Sequence, residues 1–115
     1  MTERKIALIT GGGRGIGLST ALELAKAGCD IVINGIGGAE TAEDALKQIK
    51  ECGVNAYYYQ FDVSKNDQVE AAIEKIITEH QKIDVLVNNA GITKDGLFVR
   101  MDAAQWEAVI NVNLS

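Results

Sequence analysis

Two short polar stretches hold the residues that could do chemistry. The first is Thr10-Gly11-Gly12-Gly13-Arg14-Gly15-Ile16-Gly17, placed between an apolar run and a helix-like stretch. Glycines permit a tight turn and let a phosphate come close to the backbone. A helix starting there adds free N–H groups and the positive end of its dipole. Spacing excludes two neighbouring motifs. Gly12 and Gly17 suit GxxxxGK[ST], but Leu18 replaces the lysine. Gly11 and Gly13 would need a third glycine at Ile16 to complete GxGxxG. What remains is TGxxxGxG, on Gly11, Gly15 and Gly17. A glycine-rich turn without any ligand is the plain alternative.

The second stretch is Asn88-Asn89-Ala90-Gly91, at the end of another apolar run. Asparagine is a poor strand former, and a buried amide needs partners. An Asx turn closing the strand explains one asparagine more easily than two.

The elements that must position these residues are legible from periodicity. Lys5–Thr10, Asp30–Asn34, Asn55–Phe61 and Ile83–Asn88 read as strands. Gly15–Ala27, Glu40–Glu51, Asn66–Glu79 and Ala104–Leu114 carry apolar residues at helical spacing. The order βαβαβαβα predicts an α/β fold, a doubly wound parallel sheet with strand order 3-2-1-4. The first, second and fourth strands are nearly continuous apolar runs, as strands buried on both faces are. In such a sheet the two polar stretches meet at one carboxyl edge. There is no linker or repeat, so residues 1–115 form one domain.

Composition narrows the function classes. The chain has 115 residues, sixteen acids against eleven bases and a net charge of −5, which argues against nucleic acid or an anionic membrane as partner. No run approaches the roughly 18 apolar residues of a membrane span, and the N-terminus lacks a secretory pattern. The cytoplasm is the expected compartment. Cys29 and Cys52 form no CxxC, and His80 is the single histidine, so neither a disulfide framework nor a metal site is expected. There is no proline.

Together these features resemble the short-chain dehydrogenase/reductase family. Thr10-Gly11-x-x-x-Gly15-x-Gly17 matches its cofactor turn, and Asn88-Asn89-Ala90-Gly91 its NNAG motif. Asp62-Val63 matches its adenine-binding position, and Trp106…Asn113-Leu114-Ser115 the stretch carrying its catalytic asparagine. The resemblance implies a Rossmann-type fold that binds a nicotinamide dinucleotide. Gly11, Gly12, Gly13, Arg14, Gly15, Ile16 and Gly17 would wrap the adenosine ribose and pyrophosphate. Asp62 would accept from the adenine amino group, with Val63 beside it. Asn89, Ala90 and Gly91 would line the riboses, and Asn88 would tie strands together. Asn113 would hold a water in a proton relay to a catalytic lysine, with Asn111 a decoy. Gly91-Ile92-Thr93-Lys94-Asp95-Gly96-Leu97…Arg100-Met101 is similar to the 3-oxoacyl-thioester reductases, acting on acyl-carrier-protein or CoA substrates. Asn34-Gly35-Ile36-Gly37 is also similar to the 3-hydroxybutyrate dehydrogenases. The resemblance further implies a homotetramer for the full-length protein.

Cofactor choice turns on the end of the second strand. An NAD enzyme usually places an acid there for the ribose 2′-OH. Asn34 and Gly35 occupy that place, while Asp30 begins the strand at the opposite edge. Arg14 suits a 2′-phosphate, which favours NADP(H) over NAD(H). Other conspicuous residues are expected to be structural. Trp106 reads as a core anchor, His80 as a solvated helix-end residue, and Cys29 and Cys52 as small apolar fillers. Tyr57, Tyr58 and Tyr59 suit a strand, and none has the lysine four positions on that the family's catalytic tyrosine requires.

The family's serine and YxxxK pair lie beyond its asparagine motif, and neither is present here. The apolar stripe through Leu114 ends without a helix stop signal. The expectation is an N-terminal dinucleotide-binding portion of a longer reductase, inactive alone. A stand-alone, non-catalytic nucleotide-binding module is the alternative from a different class.

Overall fold

A computed structural model describes residues 4–89 and 108–111. Strand β1 (Ile6–Ile9) leads through the glycine turn into helix α1 (Gly15–Lys26). Strand β2 (Asp30–Gly35) follows, then a 3-10 turn (Ala39–Ala42) running into helix α2 (Glu43–Lys50). Strand β3 (Ala56–Gln60), helix α3 (Asn66–His80) and strands β4 (Val85–Asn88) and β5 (Ala108–Asn111) complete the order. All strand pairs are parallel, in the order β3-β2-β1-β4-β5. The expected 3-2-1-4 order is therefore present.

The sheet separates two apolar layers. Ala7, Ile9, Ile31, Ile33, Val85 and Val87 pack on one face with Ala21 and Ala25 of α1 and Ala45 and Ile49 of α2. Alternate residues Ile6, Leu8, Val32 and Leu86 pack on the other face with Val69, Ala72, Ile73 and Ile76 of α3. The two-residue strand period supplies both layers from one set of strands. Burying each large aliphatic side chain contributes about 1.5–3 kcal/mol, so this central sheet is a firm base for the turn above it.

One expected element is corrected. The stretch predicted as a fourth helix contains, at Ala108–Asn111, strand β5, paired with β4 from Val85↔Ala108 to Asn88↔Asn111. Val109 and Ile110 are adjacent β-branched residues, stiff at χ1 and suited to a pleated surface. Pairing there also satisfies N–H and C=O groups that an open edge would expose. β4 thus has a parallel neighbour on each side, β1 and β5. Trp106 lies outside the described residues.

Opposite the glycine turn, the amino edge of the sheet is held by acids. Asp84 is buried, and its Oδ2 accepts from the Ile6 N–H at 2.8 Å and from Lys82 Nζ at 3.0 Å. Asp30 pairs with Arg4 and accepts from the Asn55 N–H. Its carboxyl lies below the ordinary aspartate value: burial opposes this, but the bonds from Asn55 and Arg4 prevail. Asp30 is thus at the wrong edge to hold a ribose, as the sequence implies.

His80 is not simply solvated. Its Nε2 lies 2.9 Å from the Tyr59 hydroxyl, and its ring packs 4.4 Å from that of Tyr57. Tyr59 also donates to Glu79 Oε1 at 2.6 Å. Burial first, then that bond to a carboxylate, raises the Tyr59 phenol above its usual range. The cluster fastens the end of α3 to β3. Cys29 is buried as expected, and burial raises its thiol pKa.

Candidate cofactor site

β1 ends at Ile9, and the next residue, Thr10, is fully buried. Its N–H donates to the Val87 carbonyl at 3.1 Å, and its Oγ1 accepts from the Asn89 N–H at 2.9 Å. The glycine turn is therefore anchored to β4 at its first residue. Gly11 is held at both polar groups. Its N–H donates to Asn34 Oδ1 at 3.0 Å, and its carbonyl accepts from Asn89 Nδ2 at 3.2 Å. Asn34 comes from β2 and Asn89 follows β4, the two strands flanking β1. The two asparagines, apart in sequence, converge on one glycine.

The turn is built for close approach. A Cβ at Gly17 would lie 2.2 Å from the Gly11 carbonyl oxygen and 2.8 Å from Asn89 Nδ2. Gly15 opens α1 with φ +59, a conformation that L side chains avoid. The N-cap, Arg14, makes no side-chain capping bond, and the first turn of α1 holds no acid. The leading N–H groups of the helix thus suit an anion. Arg14 and Ile16 are exposed, and Gly12 and Gly17 are buried.

Beside the turn lies a cavity of about 500 Å³. Gly11, Gly13, Arg14 and Asn34 form its turn side, Gly35, Ile36 and Gly37 its rim, and Phe61 and Val63 its far wall. Among the described residues, Arg14 is the one charged side chain that lines it. Tyr58 and Thr41, which the sequence reading did not place here, also line it. The Tyr58 hydroxyl donates to the Gly37 carbonyl, and its oxygen lies 2.9 Å from where a Cβ on Gly35 would be. Strand alternation sets Tyr58 apart from Tyr57 and Tyr59. Which face would meet the cavity depends on how β3 pairs with β2.

Asp62 follows the far wall but is not itself among the lining residues. Its Oδ1 accepts from Ser64 Oγ at 2.7 Å and from the Ser64 N–H at 2.9 Å. These bonds hold its carboxyl below the ordinary aspartate value. Asp62 is thereby kept as an oriented acceptor.

Two features test whether a dinucleotide fits. The glycine turn leaves open backbone next to free helical N–H groups. In addition, Asn89 Oδ1 is buried and has no hydrogen-bond partner among the described residues. A buried acceptor of that kind suits a ligand hydroxyl. The residues present fit the group. Ala90, Gly91 and Asn113 lie outside the described residues.

A parallel, doubly wound sheet carrying a glycine turn at the carboxyl end of β1 defines a dinucleotide-binding class of protein. Within that class the chain belongs to the short chain dehydrogenase family, whose model matches residues 5–115. Its curated relatives include a 3-oxoacyl-(acyl-carrier-protein) reductase of Staphylococcus epidermidis, 44% identical over 110 residues, or 96% of this chain and 45% of the relative. The corresponding reductase of Staphylococcus aureus is 44% identical over 114 residues, 99% of this chain and 46% of the relative. The chain thus spans just under half the length of these relatives. Similar solved structures include an NAD+-bound xylitol dehydrogenase (TM-score 0.80, 29% identity, covering 93% of this chain and 52% of that one). A 3-oxoacyl-(acyl-carrier-protein) reductase of Brucella melitensis in complex with NAD is also similar (TM-score 0.72, 33% identity, 79% of this chain and 35% of that one).

Proposed function

We propose that this chain is the N-terminal, cofactor-holding portion of a cytoplasmic, homotetrameric reductase that converts a 3-oxoacyl thioester to its 3-hydroxyacyl form. The observation that carries the cofactor half of this reading is Gly11, gripped by two asparagines of which one, Asn89, keeps an acceptor for a ligand. The substrate class is supported by the relatives, which are 3-oxoacyl-(acyl-carrier-protein) reductases. The alternative of a 3-hydroxybutyrate-type dehydrogenase draws on Asn34-Gly35-Ile36-Gly37.

In this reading the N–H groups at the start of α1 hold the pyrophosphate, Asn89 Oδ1 takes a ribose hydroxyl, and Asp62 takes the adenine amino group. Val63 packs beside the adenine. Ala90 and Gly91 continue the ribose wall, and Asn113 orients a water for the proton relay. When bound, the nicotinamide supplies the hydride. The proton comes from a tyrosine–lysine pair carried elsewhere in the protein.

NADP(H) is the favoured cofactor. Among the described residues no acid lines the cavity beside the end of β2, and the guanidinium of Arg14, which does line it, suits a 2′-phosphate. The test is acetoacetyl-CoA reduction by the intact source protein with NADPH and NADH at equal concentration. Faster turnover with NADPH is expected, and faster turnover with NADH would refute the preference. Arg14→Ala is expected to lower kcat/KM with NADPH by at least about tenfold, the worth of a charge-assisted contact, and to leave NADH little changed.

A further inference from the structure

We infer that Asn34 is a positioning residue that holds the glycine turn in place for the dinucleotide and does not itself touch the ribose. The inference rests on the cofactor reading above and deepens it. Asn34 ends the apolar run of β2, where a side chain reaching for the 2′-hydroxyl would be expected. Its side chain is instead committed to the protein. It is 2% exposed, Oδ1 accepts from the Gly11 N–H at 3.0 Å, and Nδ2 donates to the Phe61 carbonyl at 2.8 Å. Phe61 immediately precedes Asp62, so one amide joins the glycine turn to the wall that carries the adenine acceptor.

The comparison with Asn89 sharpens the assignment. Both asparagines grip Gly11, one at its N–H and one at its carbonyl. Asn89 Oδ1 has no partner among the described residues, so Asn89 can both hold the turn and meet a ligand. Asn34 has both ends of its amide engaged. Turning it toward a ribose would leave the buried Phe61 carbonyl or the Gly11 N–H without its partner, a costly exchange. Discrimination between the two cofactors therefore falls to Arg14 and the rim at Gly35–Gly37, and Asn34 acts on both cofactors alike.

The test compares the intact source protein with its Asn34→Leu variant. The variant is expected to raise KM for NADPH and for NADH by at least about tenfold each, with kcat at saturation falling less than about threefold. The ratio of the two KM values is expected to stay within about twofold. A ratio that moves by more than about tenfold would place Asn34 on the ribose and overturn the inference. Lower kcat with unchanged KM would mark a role in stability alone and overturn it too, as would no change in either constant.

A second measurement needs no variant. Hydrogen exchange on the unmodified protein is expected to show slow exchange at the Gly11 amide and the Asn34 side-chain amide, before and after adding either cofactor. Loss of Asn34 protection on cofactor binding, or fast exchange at both groups without it, refutes the assignment. If the unmodified protein binds neither dinucleotide, the proposed function falls, and exchange at Gly11 and Asn34 still reports whether the grip exists.

Discussion

Gly17 shows how tightly single residues are specified at this site. A methyl group there would meet the Gly11 carbonyl oxygen, a backbone atom pinned by Asn89. Neither side can yield cheaply. Gly17→Ala is expected to cost about 1–3 kcal/mol in urea unfolding, the usual range for overpacking, and to weaken dinucleotide binding as the turn shifts. A variant as stable as the parent would show that the turn relaxes freely. Asp62 gives a pH-dependent case. Its carboxyl lies below the ordinary aspartate value, first because of Ser64 Oγ and then because of the Ser64 N–H. A depressed carboxyl adds stability above its unfolded pKa, and that stability is lost as pH falls through the folded value. Ser64→Ala removes the larger cause. Its urea midpoint is expected to lie below the parent's near neutrality, with the gap closing on acidification through the Asp62 titration. A gap independent of pH would assign the loss to something other than this carboxylate.

At the scale of elements, α3 ends in a left-handed residue that is not glycine. Gln81 has φ 72 and donates its N–H to the Ile77 carbonyl at 2.6 Å. Glycine is the natural residue at such a helix end. Gln81→Gly is expected to stabilise the chain by about 0.5–1 kcal/mol, relief of the left-handed strain less the added freedom of the unfolded glycine. A lower urea midpoint would show that the Gln81 side chain contributes more than its backbone costs. Element type was legible for seven of the strands and helices, because strand and helix periods differ clearly in runs such as Ile31–Asn34 and Val69–Ile77. It failed at Ala108–Asn111. There Val109 and Ile110 fit a helical stripe and a strand equally well, and the available edge of β4 decided between them.

For the whole molecule, the family match covers residues 5–115, while the curated relatives are about twice as long. The proposal that this chain is one portion of a reductase predicts a source polypeptide roughly twice the 12.3 kDa of this chain. It also predicts no reduction of acetoacetyl-CoA by residues 1–115 alone, since the tyrosine–lysine pair is absent from them. An intact mass near 12.3 kDa, or turnover by the 115-residue chain, would each refute it. The fold explains how residues far apart in sequence reach one edge of the sheet. β1, β2 and β4 lie side by side and contribute Thr10, Asn34 and, just past β4, Asn89 to one edge.

By itself the amino-acid sequence determined the alternation of strands and helices, the two buried faces of the sheet and the two polar motifs. Those properties are local: a period of two or 3.6, a glycine where a turn is tight, a polar pair where an apolar run stops. The tertiary structure decided what Asn34 and Asn89 do. Both are asparagines at strand ends, and no local signal separates them. Only parallel pairing on either side of β1 aims them at opposite polar groups of Gly11. Only the position of Phe61, just past β3, engages the second end of Asn34, while Asn89 keeps an acceptor without a partner among the described residues.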